Sequence, residues 1–311
     1  MGESTPNQFT EKEKDICVFF SFDMVGSTKF KTKDENWPFS ISLFYHTVYK
    51  KLRSKIPQIK GWKYLGDEIL LYVSIHDLGP DFHSRFLSLI NIPKMVYDIQ
   101  SEVVEIIQKD PWSKLKVPSL SELNVKTTVW IAGIQTIELR QQEQAKPSPL
   151  DKNYKNVIAT INMEAKGEIK NGAKDKYDFL GPDMDIGFRI AKFAFHHKVV
   201  LSADFAYLLY KMPKIKSGKI GYKIDDNLRI VSNEILKGVW DEHDYPIIWY
   251  FPDWKSKDLI FFYDDDKKNP IVDRVLSGRV EQIDKLTQVY EDLGKTDEID
   301  DFVKECLDRL K

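Results

Sequence analysis

ICVFFSFD (Ile16–Asp23) and KYLGDEILLY (Lys63–Tyr72) are the stretches on which the fold turns. The first is short, apolar and aromatic, and charge bounds it on both sides, which is the pattern of a buried strand. The second belongs to IKGWKYLGDEILLYVS (Ile59–Ser74), in which two apolar-rich arms flank Gly66-Asp67, a pair that favours the tight turn of a β-hairpin. Between them WPFSISLFYHTVYKKLRSKI (Trp37–Ile56) has helical apolar spacing, with Pro38 in a first turn. A second helical pattern runs from Phe82 to Gln108 and is expected to break or shift at Pro93. LNVKTTVWIAGIQTIEL (Leu123–Leu139) then reads as one strand or two. Strand, helix, hairpin, helix, strand is the ferredoxin-like βαββαβ order, an α+β fold with helices on one face of an antiparallel sheet.

Further along, residues 140–176 turn polar and are expected to form an irregular insertion. A helix is expected after Gly181, short strands at KVVLSA (Lys198–Ala203) and DNLRIVSNEILKG (Asp226–Gly238), and a closing strand at PIIWYF (Pro246–Phe251). Val280–Lys311 reads as one charged amphipathic helix. The expected organisation is a polar leader over 1–14, a main domain over 15–253 that contains the insertion, and a C-terminal extension with a helix over 254–311.

With 311 residues, 42% apolar and 30% charged, the chain has enough apolar side chains for a large core. A net charge of -2 gives no global electrostatic case for nucleic acid or an anionic membrane surface. Two cysteines, Cys17 and Cys306, are not a disulfide framework and suit a reducing cytoplasm. MGESTPNQFTEKEKD lacks the apolar stretch of a secretory signal, and no apolar run approaches the roughly 18 to 20 residues of a spanning helix. A cytoplasmic protein is expected. His196-His197 lacks partners at ligand spacing and is set aside as a metal site.

Asp23 ends the first strand and Asp67 sits on the hairpin turn. In a βαββαβ sheet these carboxylates converge at one rim, where they can hold hard divalent cations that also take substrate phosphates. At this point the sequence resembles class III nucleotidyl cyclases. FFSFDMVGSTKF (Phe19–Phe30) is similar to their first metal motif, and KYLGDEILLY to their hairpin with the second metal Asp. YDFLGPDMDIGFRIAKFA (Tyr177–Ala194) is similar to their base-reading strand and catalytic helix, and EILKGV (Glu234–Val239) to their final Lys-Gly strand end. The four motifs stand in the family's order.

The resemblance implies two divalent ions, Mn2+ or Mg2+, held by Asp23, Asp67 and the Met24 carbonyl. It implies a triphosphate held by the amides around Val25 to Thr28 (Gly26, Ser27 and Thr28) and by Lys237. Arg189 is implied to stabilise charge at the α-phosphate. Where the family has a ribose-orienting Asn, this chain has Asp185, an acid that cannot offer the amide's donor. Lys63 and Asp178 match the base-reading pair, whose donor and acceptor suit adenine, cytosine or uracil alike. Tyr45, Tyr49, Phe179 and Leu180 are candidates to fill the space of a missing second ring, and Tyr49 is retained among the base-binding residues.

Across the whole chain the resemblance is greatest to the Pycsar anti-phage pyrimidine cyclases. It implies a lyase that makes cyclic UMP from UTP, or cyclic CMP from CTP, as a messenger of antiviral defence read by a separate effector protein. It also implies a head-to-tail homodimer. The alternatives are an adenylate cyclase of the same fold and a non-catalytic nucleotide-binding homologue that regulates a partner. Diguanylate chemistry on a related palm is disfavoured, because the hairpin reads Gly66-Asp67-Glu68 without the longer Gly-Gly-acid pattern.

Overall fold

The computed structural model describes residues 14–33, 35–108, 123–136, 150–161, 176–212, 224–252, 254, 271, 274–275 and 277–311. Most of the expected leader, and 140–149 and 162–175 of the expected insertion, lie outside the described residues. The chain opens with β1 (Lys14–Val25), α1 (Ser27–Lys33), α2 (Trp37–Lys55), the hairpin β2 (Lys60–Leu65) and β3 (Glu68–Ser74), α3 (Phe82–Gln108) and β4 (Asn124–Thr136). These four strands lie in the order β4-β1-β3-β2, with every neighbouring pair antiparallel. That is the ferredoxin-like arrangement expected from the sequence, and the molecule is α+β.

The sheet extends beyond β4. β5 (Asn156–Ile161) runs parallel to β4 and pairs with β6 (Lys176–Leu180), which leads into α4 (Pro182–Ile190). β7 (Val199–Leu201) also runs parallel to β4, followed by α5 (Ala203–Lys211), β8 (Leu228–Ile235), β9 (Asp244–Tyr250) and β10 (Glu281–Gln282). The chain ends in α6 (Lys285–Asp292) and α7 (Thr296–Leu310). No helix among the described residues is long and apolar enough to cross a membrane.

Strand alternation divides the core between the two faces of the sheet. Ile16, Val18, Phe20 and Phe22 of β1 pack against Phe44, Val48 and Leu52 of α2 and against the buried stripe of α3. Cys17 and Phe19 point to the other face, where they join Leu70, Trp130, Phe179 and Met184. Trp130 and Phe19 stack at 5.4 Å, and Phe19 meets Phe179 edge-on at 5.0 Å.

Several expectations are corrected. Pro93 does not break α3, which is continuous over 27 residues. An internal proline costs about 3 kcal/mol, but burying Leu89, Ile92, Val96 and Ile99 returns about 1.5–3 kcal/mol each. Within Leu123–Leu139 the described residues form one strand, β4, in keeping with the first of the two readings. The stretch read as irregular contains β5, whose alignment to β4 is fixed by Asn156, buried and donating to the Gly133 carbonyl at 3.0 Å. β9 lies inside the sheet, between β7 and β8. The tail forms two helices, because Gly294 at φ +64° ends α6. Ser202 caps α5, a helix that had not been foreseen, by accepting from the Phe205 amide at 3.4 Å.

The terminal helices pack into the main core through Ile299, Val303, Cys306 and Leu310. Arg85 Nη1 of α3 donates to the Leu310 carbonyl at 3.2 Å, and the Tyr154 hydroxyl donates to Glu305 at 2.5 Å.

Gly187 lies in α4 against Trp130, where an added Cβ would sit 2.4 Å from the indole ring. Helix propensity alone would reward alanine there by about 0.5–1 kcal/mol. Forcing aside a fully buried indole costs about 1–3 kcal/mol, so Gly187→Ala is expected to lower stability in denaturant unfolding. A net gain in the unfolding midpoint would contradict this packing.

Candidate functional site

The end of β1 and the β2–β3 turn meet at one rim of the sheet. Asp23 is aligned with Glu68 of β3 on one side and with Lys126 of β4 on the other. Because Asp23 shares the parity of Cys17 and Phe19, it stands on the face opposite α2 and α3. Lys126 Nζ lies 2.8 Å from Asp23 Oδ2. One residue further, the Met24 amide donates to the Asp67 carbonyl at 3.3 Å, which locks the two acidic positions together. Gly66 makes the turn at φ +67°, and its carbonyl accepts from the Tyr45 hydroxyl. The Asp67 carboxylate accepts from the Ser27 hydroxyl, and Lys31 Nζ lies 3.2 Å from its other oxygen. Gly26, at φ +83°, allows β1 to turn sharply into α1, so Gly26, Ser27 and Thr28 border the same rim.

Glu68 was not singled out from the sequence; the β1–β3 register places it opposite Asp23. Its carboxylate accepts from the Ser21 hydroxyl at 2.5 Å. Burial pushes the Glu68 carboxyl up; the Ser21 hydrogen bond opposes this, and the charge of Asp23 reinforces it. Burial, followed by the charge of Asp67, likewise raises the Tyr45 hydroxyl.

The chemistry of this rim fits a hard divalent cation: it carries two carboxylates, Asp23 and Asp67, each with a lysine ammonium within 3.2 Å. Among the described residues no group of three or more His, Cys, Asp or Glu side chains gathers as a metal site. The protein's share would be Asp23, Asp67 and the Met24 carbonyl, leaving other positions to substrate oxygens and water.

Lys63 and Asp178 are brought together. Lys63 Nζ lies 2.8 Å from Asp178 Oδ1 and 3.1 Å from Oδ2. A register shift in β2 between Gly61 and Lys63 sets Lys63 opposite Leu70, on the face that carries the aromatic cluster. Tyr45 and Tyr49 pack against the core on the other face, and Tyr49 accepts from Arg53 at 3.3 Å. The structure therefore does not bring Tyr49 to the Lys63–Asp178 pair. Phe179 is buried in the aromatic cluster, and Leu180 is exposed.

Arg189 forms a third group. Its Nε is buried with no hydrogen-bond partner, and its Nη2 lies 4.0 Å from where a Cβ on Gly238 would stand. Arg189 thus adjoins the turn that carries Lys237, which is exposed. Asp185, also exposed, makes no ion pair with Arg189. Among the described residues, no hydrogen bond or ion pair joins Arg189, Asp185 or Lys237 to Asp23 or Asp67.

No family model matches the sequence, and no curated protein matches it. The fold is similar to solved nucleotidyl cyclases at low identity. The adenylyl cyclase CyaB from P. aeruginosa is 10% identical with a TM-score of 0.48, over 78% of this chain and 95% of that one. The guanylyl cyclase Cya2 is 12% identical with a TM-score of 0.46, over 78% and 93%. The guanylate cyclase domain of RhGC from Catenaria anguillulae, solved with GTP, is 9% identical with a TM-score of 0.43, over 76% and 97%.

Away from the rim, a cavity of about 210 Å³ lies between α4, α5, the turn after β8 and the terminal helices. Asp183 and Asp204 line it. The Asp183 carboxyl is pushed up to about 7, first by burial and then by the charge of Asp204, against the hydrogen bond from Asn156 and the charge of Lys155. Asp204 is raised by burial too, opposed by the Tyr290 hydroxyl, which donates to it at 2.5 Å, and by Lys155 and Lys295.

A carboxyl raised in this way keeps a proton that the unfolded chain releases near pH ~4. The folded state binds more protons between about pH 4 and 7, so its stability falls as pH rises through that window. Asp183→Asn keeps an acceptor for Asn156 and removes the titration. Its denaturant midpoint is expected to fall less than the wild type's between about pH 5 and 7.5. Equal falls in both proteins would contradict the buried-carboxyl assignment.

Proposed function

We propose that the chain is a divalent-metal-dependent nucleotidyl cyclase acting on a pyrimidine nucleoside triphosphate, UTP before CTP. The observation that carries the reading is that Asp23 and Asp67 meet at one rim, through the β1–β3 ladder and the Met24 amide bond to the Asp67 carbonyl. In the reaction the ribose 3′-oxygen bonds to the α-phosphorus, the bond from that phosphorus to the β-phosphate bridging oxygen breaks, and the hydroxyl proton and pyrophosphate leave. Divalent ions would supply charge neutralisation on the phosphates and a more acidic 3′-hydroxyl.

The chain's own groups divide the rest of the work. Asp23 and Asp67 hold the ions, and the Gly26–Thr28 amides at the start of α1 face the phosphates. Lys237 binds the triphosphate, and Arg189 offers its unpartnered donor to charge growing at the α-phosphate. Lys63 donates to, and Asp178 accepts from, the base edge. That donor–acceptor pattern is met by uracil and cytosine and also by adenine; the choice of a pyrimidine rests on the sequence resemblance, as do the antiviral role and the separate effector. A head-to-tail homodimer would complete each site, with Asp23 and Asp67 from one copy and Asp185, Arg189 and Lys237 from the other. One observation favours a non-catalytic nucleotide binder instead, namely the exposed acid Asp185 where the family has an amide.

Purified protein with Mn2+ and each of ATP, GTP, CTP and UTP is expected to give cyclic UMP or cyclic CMP, identified by mass spectrometry. Asp67→Ala is expected to lose about 10²-fold or more of that activity. Cyclisation of ATP alone would overturn the pyrimidine assignment, and no cyclic product from any triphosphate would overturn the catalytic reading.

A further inference from the structure

The carboxylate of Asp178 is used unequally. Its Oδ1 accepts from Lys63 Nζ at 2.8 Å, from Trp62 Nε1 at 2.8 Å and from the Phe179 amide at 3.0 Å. Three donors fill the lone pairs of that oxygen. Among the described residues Oδ2 accepts from Lys63 Nζ alone, at the longer distance of 3.1 Å. Oδ2 is therefore the less saturated acceptor for a ligand N–H. Of the two side chains that impose this, Lys63 spans both oxygens and does not choose between them, whereas Trp62 bonds to Oδ1 alone.

The indole is itself held in place. Trp62 lies beside the β2 irregularity, with its ring edge-on to Phe19 at 5.6 Å and to Phe179 at 5.2 Å, and tilted against Phe188 at 5.8 Å. Lys63 Nζ sits over its face at 4.3 Å from the ring centre, close enough for cation–π attraction. The indole therefore touches both members of the Lys63–Asp178 pair and has aromatic neighbours on its other sides. Torsion about the carboxylate bond of an aspartate is soft and roughly two-fold. Without the Trp62 N–H, only the Phe179 amide and the Lys63 ammonium would hold the carboxylate, and its plane would be freer to turn.

We infer that Trp62 is the positioning residue of the base site: with the Phe179 amide it holds the Asp178 carboxylate by one oxygen and so presents the other to the base. The inference rests on the reading of Lys63 and Asp178 as the base-recognition pair. The ligand class it names is a nucleoside triphosphate whose base offers an adjacent donor and acceptor on one six-membered ring.

The test compares wild type, Trp62→Phe and Trp62→Leu, with circular dichroism and thermal melting to confirm folding. Binding of non-hydrolysable UTP, CTP and ATP analogues is measured in the presence of Mn2+, alongside KM and kcat. Trp62→Phe keeps most of the bulk and loses the N–H. It is expected to weaken pyrimidine binding and raise KM about tenfold with kcat nearly unchanged. Trp62→Leu removes the ring as well and is expected to raise KM at least as far, again with kcat nearly unchanged. A purely structural role would lower the melting temperature without moving KM, so unchanged KM and unchanged analogue affinities in both folded variants overturn the inference. A folded wild type that binds none of the analogues overturns the base-site reading itself. Wild-type binding combined with indifferent variants overturns the role of Trp62 alone.

Discussion

The antiparallel ladder between β1 and β3 sets where every proposed ligand of the rim stands. Its register runs from Cys17 opposite Ser74 to Asp23 opposite Glu68. Side chains alternate along a strand with a period of two, so a slip of one residue would turn Asp23 toward α2 and bring Phe22 out to the rim. The slip is prevented by burial. Phe20 and Phe22 fill the helical face of the sheet, Phe19 fills the aromatic face, and all three are fully buried. The glycine turn at Gly66 then delivers Asp67 beside Met24, one step from Asp23. Hydrophobic alternation, rather than attraction among the acids themselves, brings two like charges to neighbouring positions.

Two like charges held together need counter-charges, and the structure provides one for each. Lys126 is carried to Asp23 by the β1–β4 register, and Lys31 reaches Asp67 from α1. Both ion pairs are partly exposed, where such pairs contribute little to stability, about 0–1 kcal/mol. A weak ion pair can be exchanged at little cost. On the proposed reading, a divalent ion would displace the two lysines at little cost to the fold. The Lys63–Asp178 pair follows a different logic, because Trp62 and the Phe179 amide fix it in addition to the ionic contact.

Much of this was legible in the sequence. The aromatic strand Ile16–Asp23, the Gly66-Asp67 turn and the helix beginning at Trp37-Pro38 carry strong local signals, and these suffice for the ferredoxin-like order. What stayed hidden depends on pairing between distant segments. Asn156 fixes β5 to β4 through a single buried hydrogen bond, which composition cannot reveal. Glu68 and Trp62 acquire meaning only from cross-strand register and from a local irregularity in β2. Tyr49 has the right residue type for a base pocket but lies on the wrong face of the sheet, because helix α2 covers the side opposite Asp178. Asp183 reads as an ordinary helix-start acid, until packing of α4 against α5 and the terminal helices buries it beside Asp204.

The central claim is that Asp23 and Asp67 form a divalent-cation site whose charges the two lysines balance until the ion arrives. Titration of Mn2+ followed by electron paramagnetic resonance, with and without a non-hydrolysable UTP analogue, tests it most directly. The account predicts saturable Mn2+ binding that tightens with the nucleotide analogue, is lost in Asp23→Asn, and strengthens in Lys126→Met, where the competing ammonium is gone. Mn2+ binding that is absent from the wild type, or unchanged by either substitution, would contradict it.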